Sequence, residues 1–128
     1  MDADELLRKA RSAKKNSYSP YSKFQVGAAV LAADGTVYLG TNIENASYGL
    51  SICAERAAIF NAISAGNTKI KALAVSCPRS SNTNSMMPCG ACLQVISEFS
   101  TDETTIVIDN VGDFNISDLL HTPFRLSK

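Results

Sequence analysis

Apolar and polar positions along this chain follow two periods. Near the start, Leu6, Leu7, Ala10 and Ala13 fall on one helical face. Asp2 followed three residues later by Glu5 has the form of a reciprocal helix cap, so a helix is expected from there to about Asn16. The stretch Ser17-Tyr18-Ser19-Pro20-Tyr21 is rich in turn formers, and Pro20 disfavours helix before it. Phe24 to Leu31 then reads as a strand, Asp34-Gly35 as a hairpin turn and Thr36 to Gly40 as the returning strand. The small residues Gly27, Ala28 and Ala29 would let another element approach closely.

After a polar loop over 42–52, a helix is predicted from Cys53 to about Ala65, with Gly66 as the residue that ends it. Ala57, Ala58, Ile59, Phe60, Ala62 and Ile63 make it apolar nearly all round, which predicts burial. Ile70 to Ser76 is nearly continuously apolar, as interior strands are. Arg79 to Met87 is a Ser/Asn-rich loop without evident chemistry, Cys89 opens a helix to about Phe99, Thr105 to Asp109 is a strand, and Ser117 to Leu120 is at most a short helix. The order α-β-β-α-β-α-β predicts an α/β fold, a central mixed sheet covered by helices on both faces in three α/β/α layers. No internal repeat or linker interrupts it, so 1–128 is read as a single domain.

Composition narrows the class of protein. Apolar residues make up 45% and charged residues 19%, as in ordinary globular domains. Lys plus Arg equals Asp plus Glu at 12 each, without the basic excess a nucleic-acid binder usually shows. A small neutral substrate fits better. No apolar run approaches a membrane span, and the acidic start Met1-Asp2-Ala3-Asp4-Glu5 differs from the basic-then-apolar form of a secretory signal. A cytoplasmic protein is expected. Thiols stay reduced there, so four cysteines point to metal or catalysis over disulfides.

Cys53-Ala54-Glu55-Arg56 and Pro88-Cys89-Gly90-Ala91-Cys92 carry the candidate chemistry. Three thiolates, Cys53, Cys89 and Cys92, suit one tetrahedral Zn²⁺ with a fourth position left open, the layout of a catalytic zinc. Glu55, two residues from the first ligand, is the candidate general acid/base. Both motifs sit at predicted helix starts, where the dipole and free N–H groups favour thiolate. Three thiolates still outweigh a dication by one charge, and Arg56 is placed to donate to them and offset that excess. Two rival readings exist: a Cys-x-x-C redox pair at Cys89 and Cys92, and a four-cysteine structural zinc including Cys77. Cys53 beside Glu55 favours catalytic zinc over both. His121, the one histidine, is given no ligand role.

Longer segments carry a resemblance. Ser19-Pro20-Tyr21-Ser22-Lys23-Phe24 with Val26-Gly27-Ala28-Ala29, Asn42 through Leu50, both cysteine motifs, and Gln94 through Phe99 closely resemble the short, homotetrameric, zinc-dependent cytidine deaminases. That resemblance implies the cytidine-deaminase-like fold, one zinc per chain, and conversion of cytidine or 2′-deoxycytidine to the uridine product with release of ammonia, as in pyrimidine salvage. It also implies substrate contacts. Phe24 lies against the base; Asn42 and Glu44 hold the ribose, Glu44 through the 3′-hydroxyl; Ala54 counts among the substrate-binding positions. Ala46 and Tyr48 reach a neighbouring subunit's site, and Phe124 stacks on the base from another subunit, so the homotetramer would have composite sites. Leu93 departs from an Arg common after the last zinc ligand, and Gln25 from a common Lys. The loop over 79–87 also looks atypical. A related zinc deaminase acting on another aminopyrimidine nucleoside, and a non-catalytic zinc or redox protein, are the alternatives.

Overall fold

The structure is a computed structural model that describes residues 1–127. Helix α1 spans Ala3–Ala13, and a single 3-10 turn over Lys14–Asn16 extends it to the predicted end. Asp2 caps it as the sequence suggests, its carboxylate accepting from the Glu5 N–H at 2.8 Å. Strands β1 (Gly27–Ala32) and β2 (Val37–Thr41) form the hairpin around Asp34-Gly35. Helix α2 is Ala54–Ser64, β3 is Ile70–Ser76, α3 is Gly90–Phe99 and β4 is Thr105–Ile108. A short strand β5 (Gly112–Phe114) and a one-turn helix α4 (Ile116–Leu119) follow. Helix α2 ends as expected at Gly66, whose φ is +96°. Gly66 N–H bonds the Ile63 carbonyl and Asn67 N–H the Ala62 carbonyl, satisfying carbonyls the helix end leaves free.

The five strands lie in the order β2-β1-β3-β4-β5. Only β3 and β4 run parallel, joined across α3; the other pairs are antiparallel. Side chains alternate between faces as a strand requires. Ala29, Ala74 and Val107 pack under α1 with Leu6, Leu7 and Ala10. Ala28, Val30, Leu73, Val75, Ile106 and Ile108 pack on the opposite face with Ala58, Ile59 and Ala62 of α2 and Ile96 of α3. The three-layer α/β/α mixed sheet is therefore the observed architecture.

Two glycines set how close the outer layers come. A Cβ on Gly27 would lie 2.2 Å from the Ala10 carbonyl oxygen of α1. One on Gly40 would lie 2.3 Å from the Ala58 nitrogen and 2.6 Å from the Ala54 oxygen of α2. Each helix thus rests directly on strand backbone, one on each face. The close approach at Gly27 follows the sequence reading; that at Gly40 was not anticipated.

Beyond shifts of a residue at element ends, the structure differs from expectation in three places. Residues 24–26 are not ladder strand: the Asn42 side chain takes the Val26 N–H and the Phe24 carbonyl, and the Ser22 hydroxyl takes the Phe24 N–H. The strand β5 escaped detection because its three residues, Gly-Asp-Phe, show no apolar alternation. Helix α2 is buried on one side only: Phe60 remains 44% exposed, next to exposed Asn61.

One polar cluster ties α1 to the ends of β3 and β4. Asp109, 6% exposed at the end of β4, accepts two hydrogen bonds from Arg11, at 2.9 and 2.7 Å, and one from the Ser76 hydroxyl at 2.7 Å. The Arg11 hydrogen bonds, then Ser76, hold the Asp109 carboxyl below its ordinary range. A carboxylate with a depressed folded pKa stabilises the fold above the unfolded value near ~3.9, and that contribution fades as pH falls through the folded pKa. Arg11→Met should therefore cost about 2 kcal/mol at pH 7. In thermal melts across pH 2–7, its deficit against wild type should shrink below about pH 4; a deficit constant with pH would exclude this origin.

Candidate active site

The site forms where both cysteine motifs reach the C-terminal end of β3. Cys53 and Cys89 are the N-cap residues of α2 and α3. Helix α2 is held against β2 through Gly40, and α3 leaves β3 through the 77–88 segment, so the two helix starts converge beside Val75 and Cys77. A third thiol, Cys92, sits on the first turn of α3 and is fully buried.

The Sγ atoms of Cys53, Cys89 and Cys92 all lie within 4.8 Å of one another, with Cys53–Cys89 at 4.0 Å and Cys89–Cys92 at 3.5 Å. Tetrahedral zinc with bonds near 2.3 Å would place sulfurs about 3.8 Å apart, so the three could hold that ion. Their chemistry agrees. A hydrogen bond from Cys92, with Arg56 beside it, draws the Cys53 thiol down to about 5. Cys92 is pushed up, first by that same bond and then by burial. The pair readily carries one negative charge; ionising all three thiols calls for a cation. Cys77 lines the same cavity but stands apart from this group, its thiol pushed up by burial. A four-cysteine site is not formed, and all four cysteines are free thiols.

Arg56 Nη2 donates to Cys53 Sγ at 3.4 Å, as its position after Glu55 suggested. Its Nε is buried without a partner among the described residues. Glu55 is 5% exposed, and burial pushes its carboxyl up to about 7, with the Cys53 charge adding to the effect. A carboxyl poised there can both take and give a proton near neutral pH.

Phe24, Asn42, Cys53, Ala54, Glu55 and Cys89 share one cavity of about 180 Å³. Glu44 and Tyr48 instead border a neighbouring depression with Ser22 and Ser51. Ala46 is exposed on the same loop, which folds as one 3-10 turn, Tyr48–Leu50, and two isolated bridges through Ile43. Phe124 lies on the tail, 69% exposed and outside the cavity. The sequence reading missed Met86 and Met87. The 79–87 loop is not inert: a 3-10 turn over Thr83–Met86, capped by Asn82, sets both methionines in the cavity wall. Two consecutive methionines just before Pro88-Cys89 were the available signal. Leu93 is partly buried against the core under α2 and α3, which accounts for an apolar residue there.

The wall behind Phe24 depends on Asn42. Val26 N–H donates to Asn42 Oδ1 at 2.9 Å, Asn42 Nδ2 donates to the Phe24 carbonyl at 2.7 Å, and the Ser17 hydroxyl also donates to Oδ1. Glu44 holds the turn beside it. Its carboxylate accepts from the Tyr21 and Ser22 N–H groups at 3.1 Å and from the Ser22 hydroxyl, and the Ser22 bond leads the causes holding its pKa low.

A profile of the cytidine and deoxycytidylate deaminase zinc-binding region matches residues 1–108. The chain belongs to this family. It is 46% identical over 114 residues to a cytidine deaminase of Sporosarcina psychrophila, covering 88% of this chain and 82% of that one. It is 43% identical over 128 residues to a cytidine deaminase of Halalkalibacterium halodurans, covering 97% and 95%. The crystal structure of cytidine deaminase from Mycobacterium tuberculosis superposes with a TM-score of 0.86 at 40% identity, covering 98% of this chain and 99% of that one. The family and the fold thus agree with the resemblance read from the segments around Phe24, Asn42 and the two cysteine motifs.

The local geometry makes a prediction independent of chemistry. Asn42→Ala removes the side-chain bonds that replace strand pairing at 24–26 and should cost about 2 kcal/mol of stability. Hydrogen exchange should show the Val26 amide losing protection while amides of β3 keep theirs; an equally protected Val26 would contradict the assigned support.

Proposed function

We propose that this chain catalyses the zinc-dependent hydrolytic deamination of cytidine and 2′-deoxycytidine to the uridine products, as a salvage enzyme of the cytoplasm. The observation that carries this reading is a three-thiol cluster, with Cys53 and Cys89 in the wall of a cavity that also holds the buried Glu55 carboxyl, Phe24 and Asn42. At about 180 Å³ the cavity is smaller than the ~300–1,000 Å³ pockets of larger ligands. It suits one pyrimidine ring, with the sugar running out to the depression at Glu44 and Tyr48.

Cys53, Cys89 and Cys92 hold the zinc, which when bound supplies a Lewis acid that activates water for attack at C4 of the ring. Glu55 takes a proton from the attacking water and passes it to the ring nitrogen; it then takes the second proton from the hydroxyl now on C4 and passes it to the departing amine, leaving the C4 carbonyl and ammonia. Phe24 and the backbone at Ala54 orient the base; Asn42 and Glu44 hold the sugar. Arg56 offsets thiolate charge beside Cys53. The two helix N-termini act in the same sense.

We further infer a homotetramer with composite sites. Phe124 stands outside its own chain's cavity, and Tyr48, Leu50 and Phe60 are exposed apolar side chains on or near the rim elements. In this reading Ala46, Tyr48 and Phe124 complete sites on neighbouring copies.

Incubating zinc-loaded protein separately with cytidine, deoxycytidine, cytosine and dCMP, and following absorbance and ammonia, tests the reaction and the substrate size together. Turnover of both nucleosides is expected; zinc content of one per chain without turnover would reject the reading. Glu55→Gln should keep zinc and lose at least about 100-fold in kcat, and retained turnover would remove Glu55 from proton transfer. Arg56→Ala should release zinc to a chelator about tenfold faster. An unchanged release rate would end the charge-offsetting role.

A further inference from the structure

We propose that Gln94 is a positioning residue that pins the backbone of Phe124 and so presents its ring, preformed, to the cavity of a second copy of this chain. The inference rests on the composite-site reading above and adds to it the device that holds the tail.

Helix α4 ends at Leu119, and residues 120–127 have no regular secondary structure. A terminal segment of this kind is ordinarily poorly ordered unless something ties it down. Here the tie is a single side-chain amide. Gln94 Nε2 donates to the Phe124 carbonyl at 3.0 Å, and the Phe124 N–H donates to Gln94 Oε1 at 3.0 Å. Among the described residues these are the only hydrogen bonds that reach positions 121–127.

The chemistry of the pin is specific. A carboxamide carries one acceptor and one donor in fixed relation, so it can pair both polar groups of one residue as a neighbouring strand would. A carboxylate offers only acceptors and could satisfy the Phe124 N–H alone.

The placement is specific too. Gln94 lies two residues beyond Cys92 on α3, the helix whose N-cap is Cys89. One rigid element therefore holds two of the site's thiols and fixes where Phe124 stands relative to them. The bonds hold the backbone and leave the ring free, 69% exposed. A purely structural anchor would bury the ring against its own chain. Fixing the backbone while exposing the aromatic face is instead what preorganised contact requires: ordering the tail at each binding event would cost affinity.

The test uses the full-length, zinc-loaded protein and four variants: Gln94→Ala, Gln94→Glu, Phe124→Ala and the double Gln94→Ala/Phe124→Ala. Cytidine KM and kcat, zinc content, solution mass and hydrogen exchange of the tail are measured for each. Gln94→Ala should raise KM about fivefold to tenfold, the scale of ordering one backbone residue, with kcat and zinc content little changed. Gln94→Glu, keeping one of the two bonds, should fall between wild type and Gln94→Ala. Exchange at Phe124 should accelerate in Gln94→Ala. Gln94→Ala should add nothing to KM once Phe124 is already alanine. A full additional effect in that background, or a Gln94→Ala enzyme with unchanged KM beside an impaired Phe124→Ala, overturns the pin while leaving the composite site standing. An unchanged KM in Phe124→Ala overturns the composite site itself, and the pin's role with it.

Discussion

Three sulfurs that must share negative charge within 4.8 Å of one another are the constraint around which this molecule is arranged. Like charges at that spacing repel unless a cation and fixed dipoles meet them. The chain brings two helix N-termini to one point, places the Arg56 guanidinium against Cys53, and buries Cys92 on the first turn of α3. A helix start displaced by half a turn would carry its cysteine away from the cluster, so the layers behind α2 must be fixed closely.

That demand explains the glycines. Gly40 lets α2 lie on the backbone of β2, with Ala54 and Ala58 at the contact; Gly27 lets α1 do the same on the other face of β1. Ala28 pairs with Gly40 across the β1–β2 ladder, so the two close approaches are adjacent in the sheet. Helix position is thereby set by backbone, which cannot change rotamer, more than by large side chains that can. The small-residue content of β1 and α2 is the sequence form of this geometry. It also explains why α2 looked buried all round: alanines serve the sheet side, while Phe60 on the other side is exposed.

Much of this was legible because the signals were local or strictly periodic. The capped first helix, the Asp34-Gly35 hairpin, Gly66 as a terminator and the thiol spacing each depend on a few neighbouring residues. What escaped depends on contacts distant in sequence. Strand β5 exists because β4 offers an edge, not because Gly-Asp-Phe prefers extension. Residues 24–26 look like strand, but the Val26 N–H and the Phe24 carbonyl bond a side chain 16 or more positions away. Met86 and Met87 become cavity wall because the Thr83–Met86 turn sets them in the same cavity as Val75 and Cys77. Asp109 gave no hint of its bond to Arg11, 98 positions earlier.

Asn42 and Glu44, the polar side chains proposed to hold the sugar, also hold the fold. An ionised carboxylate has about four lone-pair directions. The Tyr21 N–H, the Ser22 N–H and the Ser22 hydroxyl occupy three of those of Glu44. A sugar hydroxyl bound there would take the remaining one, on a carboxylate already unable to turn. The Ser22 hydroxyl in turn accepts from the Phe24 N–H, so the residue that would anchor the sugar also orients the residue that walls the base. Asn42, with its oxygen and one amide hydrogen committed to Phe24, Val26 and Ser17, is in the same position. The side chains proposed to contact base and sugar are then parts of one hydrogen-bonded unit, and a substitution at either polar residue removes a bond that holds the Phe24 segment.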